Sequence, residues 1–73
     1  MDELYEKLAN AIILQAVKDY RNALKRLKKH SSRDTDLFMK KEVEQFFRSK
    51  WYASLTTLDP EMLIRKLNEE VIS

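Results

Sequence analysis

Ile13-Leu14-Gln15-Ala16-Val17-Lys18-Asp19-Tyr20-Arg21-Asn22-Ala23-Leu24-Lys25-Arg26-Leu27 is the stretch on which the fold turns. Ile13, Val17, Tyr20, Leu24 and Leu27 recur at spacings of four, three, four and three. At about 100° of rotation per residue, that spacing gathers them on one stripe of an α-helix. Lys18, Arg21, Lys25 and Lys28 repeat the pattern one residue later, so a cationic ridge runs beside the apolar stripe. Upstream, Leu4, Leu8 and Ile12 continue a slightly rotated stripe, and the run Ala11-Ile12-Ile13-Leu14 is apolar round most of the circumference. The middle of this helix is therefore expected to be covered on more than one side. No proline or glycine interrupts it between Asp2 and Lys29. Asp2, Glu3 and Glu6 open it and Lys25 to His30 close it, both placements that favour the helix dipole. Such a helix is roughly 40 Å long, enough to act as a spine for the rest of the chain.

The wider composition agrees. The 73 residues contain no glycine and one proline, where average usage predicts about five glycines. No Asn-Gly or Asp-Gly pair is present to make a tight hairpin turn. Charged residues make up 36% of the chain, and Lys, Glu, Arg and Leu are good helix formers. The length suits one domain, residues 1–73. A domain this small buries only about 60% of the surface its unfolded chain exposes, so the core is thin. Cysteine is absent, which removes disulfides and thiolate chemistry. No apolar run approaches the roughly 18 residues of a membrane span, and Met1-Asp2-Glu3 is acidic rather than the basic start of a signal peptide. A cytoplasmic location with no membrane partner is expected.

Outward from the first helix, His30-Ser31-Ser32-Arg33 forms a break in which Ser31 or Ser32 could cap a second helix. That helix is expected over 34–48, burying Met39, Val43, Phe46 and Phe47, with Leu37 or Phe38 at its start and Lys40, Lys41, Glu42, Glu44 and Gln45 facing water. Ser49 can end it or cap a short turn carrying Trp51, Tyr52 and Leu55. The clearest boundary is Asp59-Pro60-Glu61, an Asp N-cap followed by Pro at the first helical position, where its missing N–H costs nothing. The last helix then runs to about Glu70 with Leu63, Ile64, Leu67 and Val71 inward. The fold class is all-α: a small bundle of three main helices, the first of them long, with room for a short extra helix around Trp51. The first helix is expected to pack against Val43, Phe46, Phe47, Trp51, Leu63 and Leu67.

Gln15-Ala16-Val17-Lys18-Asp19-Tyr20-Arg21 with Ala23-Leu24-Lys25, then Glu44-Gln45-Phe46-Phe47-Arg48-Ser49-Lys50-Trp51-Tyr52, then Leu55-Thr56, Leu58-Asp59 and Leu63-Ile64 together resemble a group of short, uncharacterised proteins encoded on prophages and integrative mobile elements of Gram-positive bacteria. The likeness covers roughly residues 11–70. It carries no catalytic residues with it. It implies a class: small proteins that bind and modulate host or element machinery, defence nucleases among them.

The charge is unevenly laid out. The net charge is only +2, yet Lys18 to Arg33 holds eight basic residues, counting His30, against the single acid Asp19. A cationic ridge can neutralise phosphates, with salt-dependent affinity; it can equally receive an acidic protein surface or be a plain solvated face. Phe46-Phe47-Arg48-Ser49-Lys50-Trp51-Tyr52 interleaves aromatics with cations, as single-stranded nucleic-acid binders do. The same rings are also needed to build a core. Trp51 and Tyr52 are adjacent and point differently on a helix, so at least one is expected to be exposed and available as an interface anchor. A helix-turn-helix reader beginning Asp59-Pro60-Glu61 would hold two carboxylates against the DNA backbone. A calcium loop from Asp34-Thr35-Asp36 fails because Met39 stands where glycine is needed and Gln45 where glutamate is needed. His30 is the only histidine and has no cysteine or carboxylate cluster to form a metal site. His30 beside Ser31 and Ser32 lies on a loop with nothing to hold a triad, and no glycine loop can cradle phosphate.

These observations lead to a non-enzymatic binding module with no cofactor and no metal. Its partner is expected to be a protein, with nucleic acid through the ridge or a structural helical oligomer as alternatives. The contact residues are expected to be Lys18, Arg21, Lys25, Lys28 and Lys29, with Trp51 or Tyr52 as anchor. A homodimer through the N-terminal half of the first helix is a further expectation, from the apolar Ile12-Ile13-Leu14 girdle.

Overall fold

The computed structural model describes residues 3–30 and 33–72. Among them are four helices and no strand: α1 (Glu3–Lys29), α2 (Asp34–Phe47), α3 (Lys50–Leu55) and α4 (Pro60–Ile72). The long axis of the molecule, 43 Å against 23 and 18 Å across, is that of α1, whose 27 residues rise about 40 Å. The other three helices fold back along it.

The core is assembled from all four. Tyr20 and Leu24 of α1, Val43 and Phe47 of α2, Tyr52 of α3, and Ile64 and Leu67 of α4 form one buried cluster. Ile13, Val17, Leu63 and Val71 pack at its edge. Phe47 is the hub: its ring meets Tyr20 at 5.8 Å and 76°, and Tyr52 at 5.6 Å and 75°. These are edge-to-face pairings, which set the positive rim of one ring on the negative face of the next.

The helix ends follow local chemistry. Ser49 precedes α3, and its Oγ accepts from the Tyr52 N–H at 3.2 Å while donating to the Phe46 carbonyl at 2.6 Å. One hydroxyl thus closes α2 and opens α3. Asp59 Oδ1 accepts from the Glu61 N–H at 3.0 Å, which satisfies a first-turn donor that has no intrahelical acceptor, while Pro60 at the first helical position has no N–H to satisfy. The start of α2 differs from expectation. Arg33 occupies the N-cap position with no side-chain capping bond, whereas Ser31 and Ser32, the expected caps, lie outside the described residues.

The inward face of α2 is also rotated from the expected one. Asp36, at 4% exposure, is buried, while Leu37 and Met39 are exposed and Phe38 is 66% exposed. The reason lies across the α1–α2 turn. The Asp36 carboxylate faces Arg26 of α1 at 3.5 Å and Arg33 at 3.7 Å, so the charge pairs pin the turn, and Asp36, Val43 and Phe47 share one stripe. Glu44, expected in water, is drawn inward too, as described below. Trp51, placed in the core by sequence, stands outside it with its edge on Phe46 at 5.4 Å; Tyr52 takes the interior position. The apolar girdle is covered on one side only, since Leu14 remains 65% exposed.

The Tyr52 hydroxyl is buried and has no hydrogen-bond partner among the described residues. An unsatisfied buried hydroxyl costs about 1–3 kcal/mol. Tyr52→Phe is therefore expected to raise the urea midpoint, by up to about 1 kcal/mol of stability. A lowered midpoint in that variant would show that the hydroxyl is satisfied in solution.

Candidate partner-binding surface

The five basic residues singled out on α1 do not form one surface. Lys18, Lys25 and Lys29 lie within an arc of about 40° on the outward side of α1; all three are exposed, and no acid among the described residues pairs with them. Arg21 and Lys28 sit some 60–80° further round, where α4 approaches. Arg21 Nε donates to Glu70 Oε2 at 2.6 Å, and Lys28 Nζ donates to the Val71 carbonyl at 2.9 Å. Lys28 thereby satisfies a carbonyl in the last turn of α4, where a cation also suits the helix dipole. Two members of the ridge are thus spent on docking the last helix, and three face solvent.

The aromatic anchor is resolved in the same way. Tyr52 is 1% exposed and belongs to the core, so it cannot touch a partner. Trp51 is 59% exposed. It does not, however, share the ridge's face. Trp51 borders an open groove of ≈ 250 Å³ with Ile12, Gln15, Ala16, Asp19 and Phe46. The α1 residues of that groove are centred roughly 110° round the helix from Lys18, Lys25 and Lys29. The lone acid of the basic segment, Asp19, accepts there from Gln15 Nε2 at 2.9 Å rather than neutralising a lysine.

Sequence reasoning missed two features of the outward face. Leu8 and Leu14 are 60% and 65% exposed and continue the solvent side of α1 towards its N-terminus. The signal was present: Leu14, Lys18, Arg21, Lys25 and Lys28 follow the four-three spacing, so Leu14 heads the ridge and does not join the core.

Beneath this surface a polar network ties three helices. The Tyr20 hydroxyl donates to Glu44 Oε2 at 2.6 Å, Asn68 Nδ2 donates to the Tyr20 oxygen at 3.0 Å and to the Ile64 carbonyl at 2.8 Å, and Lys40 Nζ reaches Glu44 Oε2 at 2.7 Å. Burial, then the bond to Glu44, pushes the Tyr20 hydroxyl well above its usual range, so it stays protonated and remains a donor. Burial also pushes the Glu44 carboxyl up, but the hydrogen bonds from Lys40 and Tyr20 and the charges of Lys40 and Arg48 together outweigh it, and Glu44 titrates below its ordinary range. Ionised Glu44 therefore stabilises the fold above the unfolded value of about 4.3, and this contribution is lost as pH falls through the lower folded value. Glu61, held down by Arg48 at 2.7 Å, acts in the same direction. Urea midpoints should fall as the medium is acidified below about pH 4.3. Glu44→Gln should cost about 1–2 kcal/mol at neutral pH and make that acid fall shallower. An unchanged acid slope in the variant would remove Glu44 from this role.

Among the described residues, no group of three or more His, Cys, Asp or Glu is arranged to hold a metal ion, and no helix is long and apolar enough to cross a membrane. The architecture is that of a small all-α bundle with a long first helix. Set against known protein families, curated proteins and solved structures, the chain finds no match.

Proposed function

We propose that this chain is a non-enzymatic binding module that acts by occupying a macromolecular partner, most readily an acidic protein surface. The observation that carries the reading is the set Lys18, Lys25 and Lys29, three exposed cations in register on α1 with no acid among the described residues paired to them. Neighbouring cations on the same helix are taken up by Glu70, Asp36 and the Val71 carbonyl, whereas the remaining three have only the helix dipole at the C-terminal end of α1 to favour them. Like charges held in a row repel one another, and a partner's acids relieve that repulsion while steering encounter. The resemblance of residues 11–70 to short proteins of prophages and mobile elements supports a host or element macromolecule as the target, inhibition of a defence nuclease being the most concrete form.

The second reading, direct nucleic-acid binding, rests on the same three cations. A gel shift with mixed-sequence duplex DNA and single-stranded RNA at about 50 and 200 mM salt separates the two. Protein binding predicts no shift at the lower salt, together with recovery of a specific protein by the tagged chain from a Gram-positive host. A shift that collapses between the two salts would favour nucleic acid. Recovery of the same protein by the Lys18→Glu, Lys25→Glu, Lys29→Glu variant would overturn the ridge as the site.

A further inference from the structure

Leu8, Ala11, Gln15, Lys18, Asn22, Lys25 and Lys29 follow one another at spacings of three, four, three, four, three and four. That spacing holds them along one face of the helix, the face geometry a second helix can lie on, although only Leu8 and Ala11 among them are apolar. The seam lies largely on the side of α1 away from the core: Leu8, Ala11, Gln15, Lys18, Lys25 and Lys29 are exposed, Asn22 is half-buried, and Gln15 stands where the seam borders the Trp51 groove. Leu14, 65% exposed, flanks it. Its composition changes along the axis. The N-terminal half offers aliphatic side chains beside Lys7, which is paired with Glu3 at 3.8 Å, the C-terminal half three lysines that no described acid pairs, and Gln15 and Asn22 stand between and among them.

Charge decides what can lie there. A second copy in parallel would set Lys18, Lys25 and Lys29 against their own counterparts. A second copy antiparallel would set those lysines against Leu8 and Ala11, burying apolar surface under cations that need water. Nucleic acid would satisfy the lysines but leave Leu8 and Leu14 against phosphates. A partner helix that is aliphatic at one end and acidic at the other satisfies both halves together. Resting on the binding-module reading above, we infer that the outward seam of α1 receives a single amphipathic helix of a partner protein, with its aliphatic residues against Leu8, Ala11 and Leu14 and its carboxylates against Lys18, Lys25 and Lys29. The asymmetric seam admits one orientation of that helix, and the polar Gln15 and Asn22 resist slippage by a heptad.

The test uses the full chain and a labelled synthetic helix of about 20 residues, with leucine at the seam positions of one half and glutamate at those of the other. Fluorescence anisotropy should show saturable binding. The double variants Lys25→Glu, Lys29→Glu and Leu8→Ser, Leu14→Ser should each weaken it at least about tenfold, about 1.4 kcal/mol, with unchanged circular dichroism because all four residues are exposed. A peptide carrying lysine in place of glutamate should not bind. Failure of the acidic peptide, equal binding of the basic one, or wild-type affinity in either double variant overturns the inference. So does a stable dimer of the chain alone, in light scattering, that Leu8→Ser, Leu14→Ser dissociates. If the peptide fails while the lysine variant still loses its cellular protein, the helical partner is wrong and the wider binding reading stands. If the lysine variant keeps that protein, both fall.

Discussion

Phe47→Ala is expected to cost this chain about 3–5 kcal/mol, a large share of its stability. Phe47 is fully buried and touches an aromatic ring on each of two other helices, Tyr20 of α1 and Tyr52 of α3. Removing the ring costs about 3–5 kcal/mol, from lost transfer free energy plus the cavity left behind. A domain of 73 residues has a total stability of only about 4–11 kcal/mol. The surroundings have little capacity to collapse into the gap, because Tyr20 is held at its far end by Glu44 and Asn68 and Tyr52 sits on a helix of six residues. Far-UV circular dichroism against urea measures the outcome. A midpoint within about 1 kcal/mol of wild type would mean that the four helices do not share one core. By contrast, Phe38→Ser, at an exposed ring, should fall within about 0.5 kcal/mol of wild type.

The second large effect separates two pairs of cations that look equivalent in sequence. Lys25→Glu with Lys29→Glu should cost only about 0.3–1 kcal/mol of stability, from carboxylates placed at the C-terminal end of α1, and weaken partner binding by about a hundredfold or more, since each reversal replaces an attraction by a repulsion at the interface. Arg21→Glu with Lys28→Glu should do the opposite first. It places a carboxylate against Glu70 and removes the donor to the Val71 carbonyl, loosening the end of α4 at a cost of about 1–2 kcal/mol. The Arg21–Glu70 pair is half exposed, so solvent screening keeps that figure small. Urea titration and partner titration on the same two variants give the result. Equal loss of stability in both would show that the exposed lysines also hold the fold.

How much of this was legible in sequence varies with the element. The helices were, because periodicity and capping are local. The stripe Ile13, Val17, Tyr20, Leu24 and Leu27, the Ser49 cap and the Asp59-Pro60 start all depend on residues within a few positions of one another. The rotation of α2 was not. Leu37, Phe38 and Met39 look more buried than Asp36 by hydropathy, and the reverse arrangement is favoured by Arg26, ten residues away on another helix, together with Arg33 just before α2. Nor was the choice between Trp51 and Tyr52, two adjacent rings of similar apolar character. Their roles were set by which one faced Phe47 once α3 had docked.

The candidate site divides along the same line. That lysines run down one flank of α1 follows from spacing alone, since a helix turns by a constant angle per residue wherever it is placed. Which of those lysines stay available does not follow, because availability depends on the path of α4, which returns to bring Glu70 to Arg21 across 49 residues and the Val71 carbonyl to Lys28 across 43. Amphipathic pattern is an intrachain angle and can be counted. Occupancy of a charge depends on the distance between groups remote in the chain, and packing sets that distance.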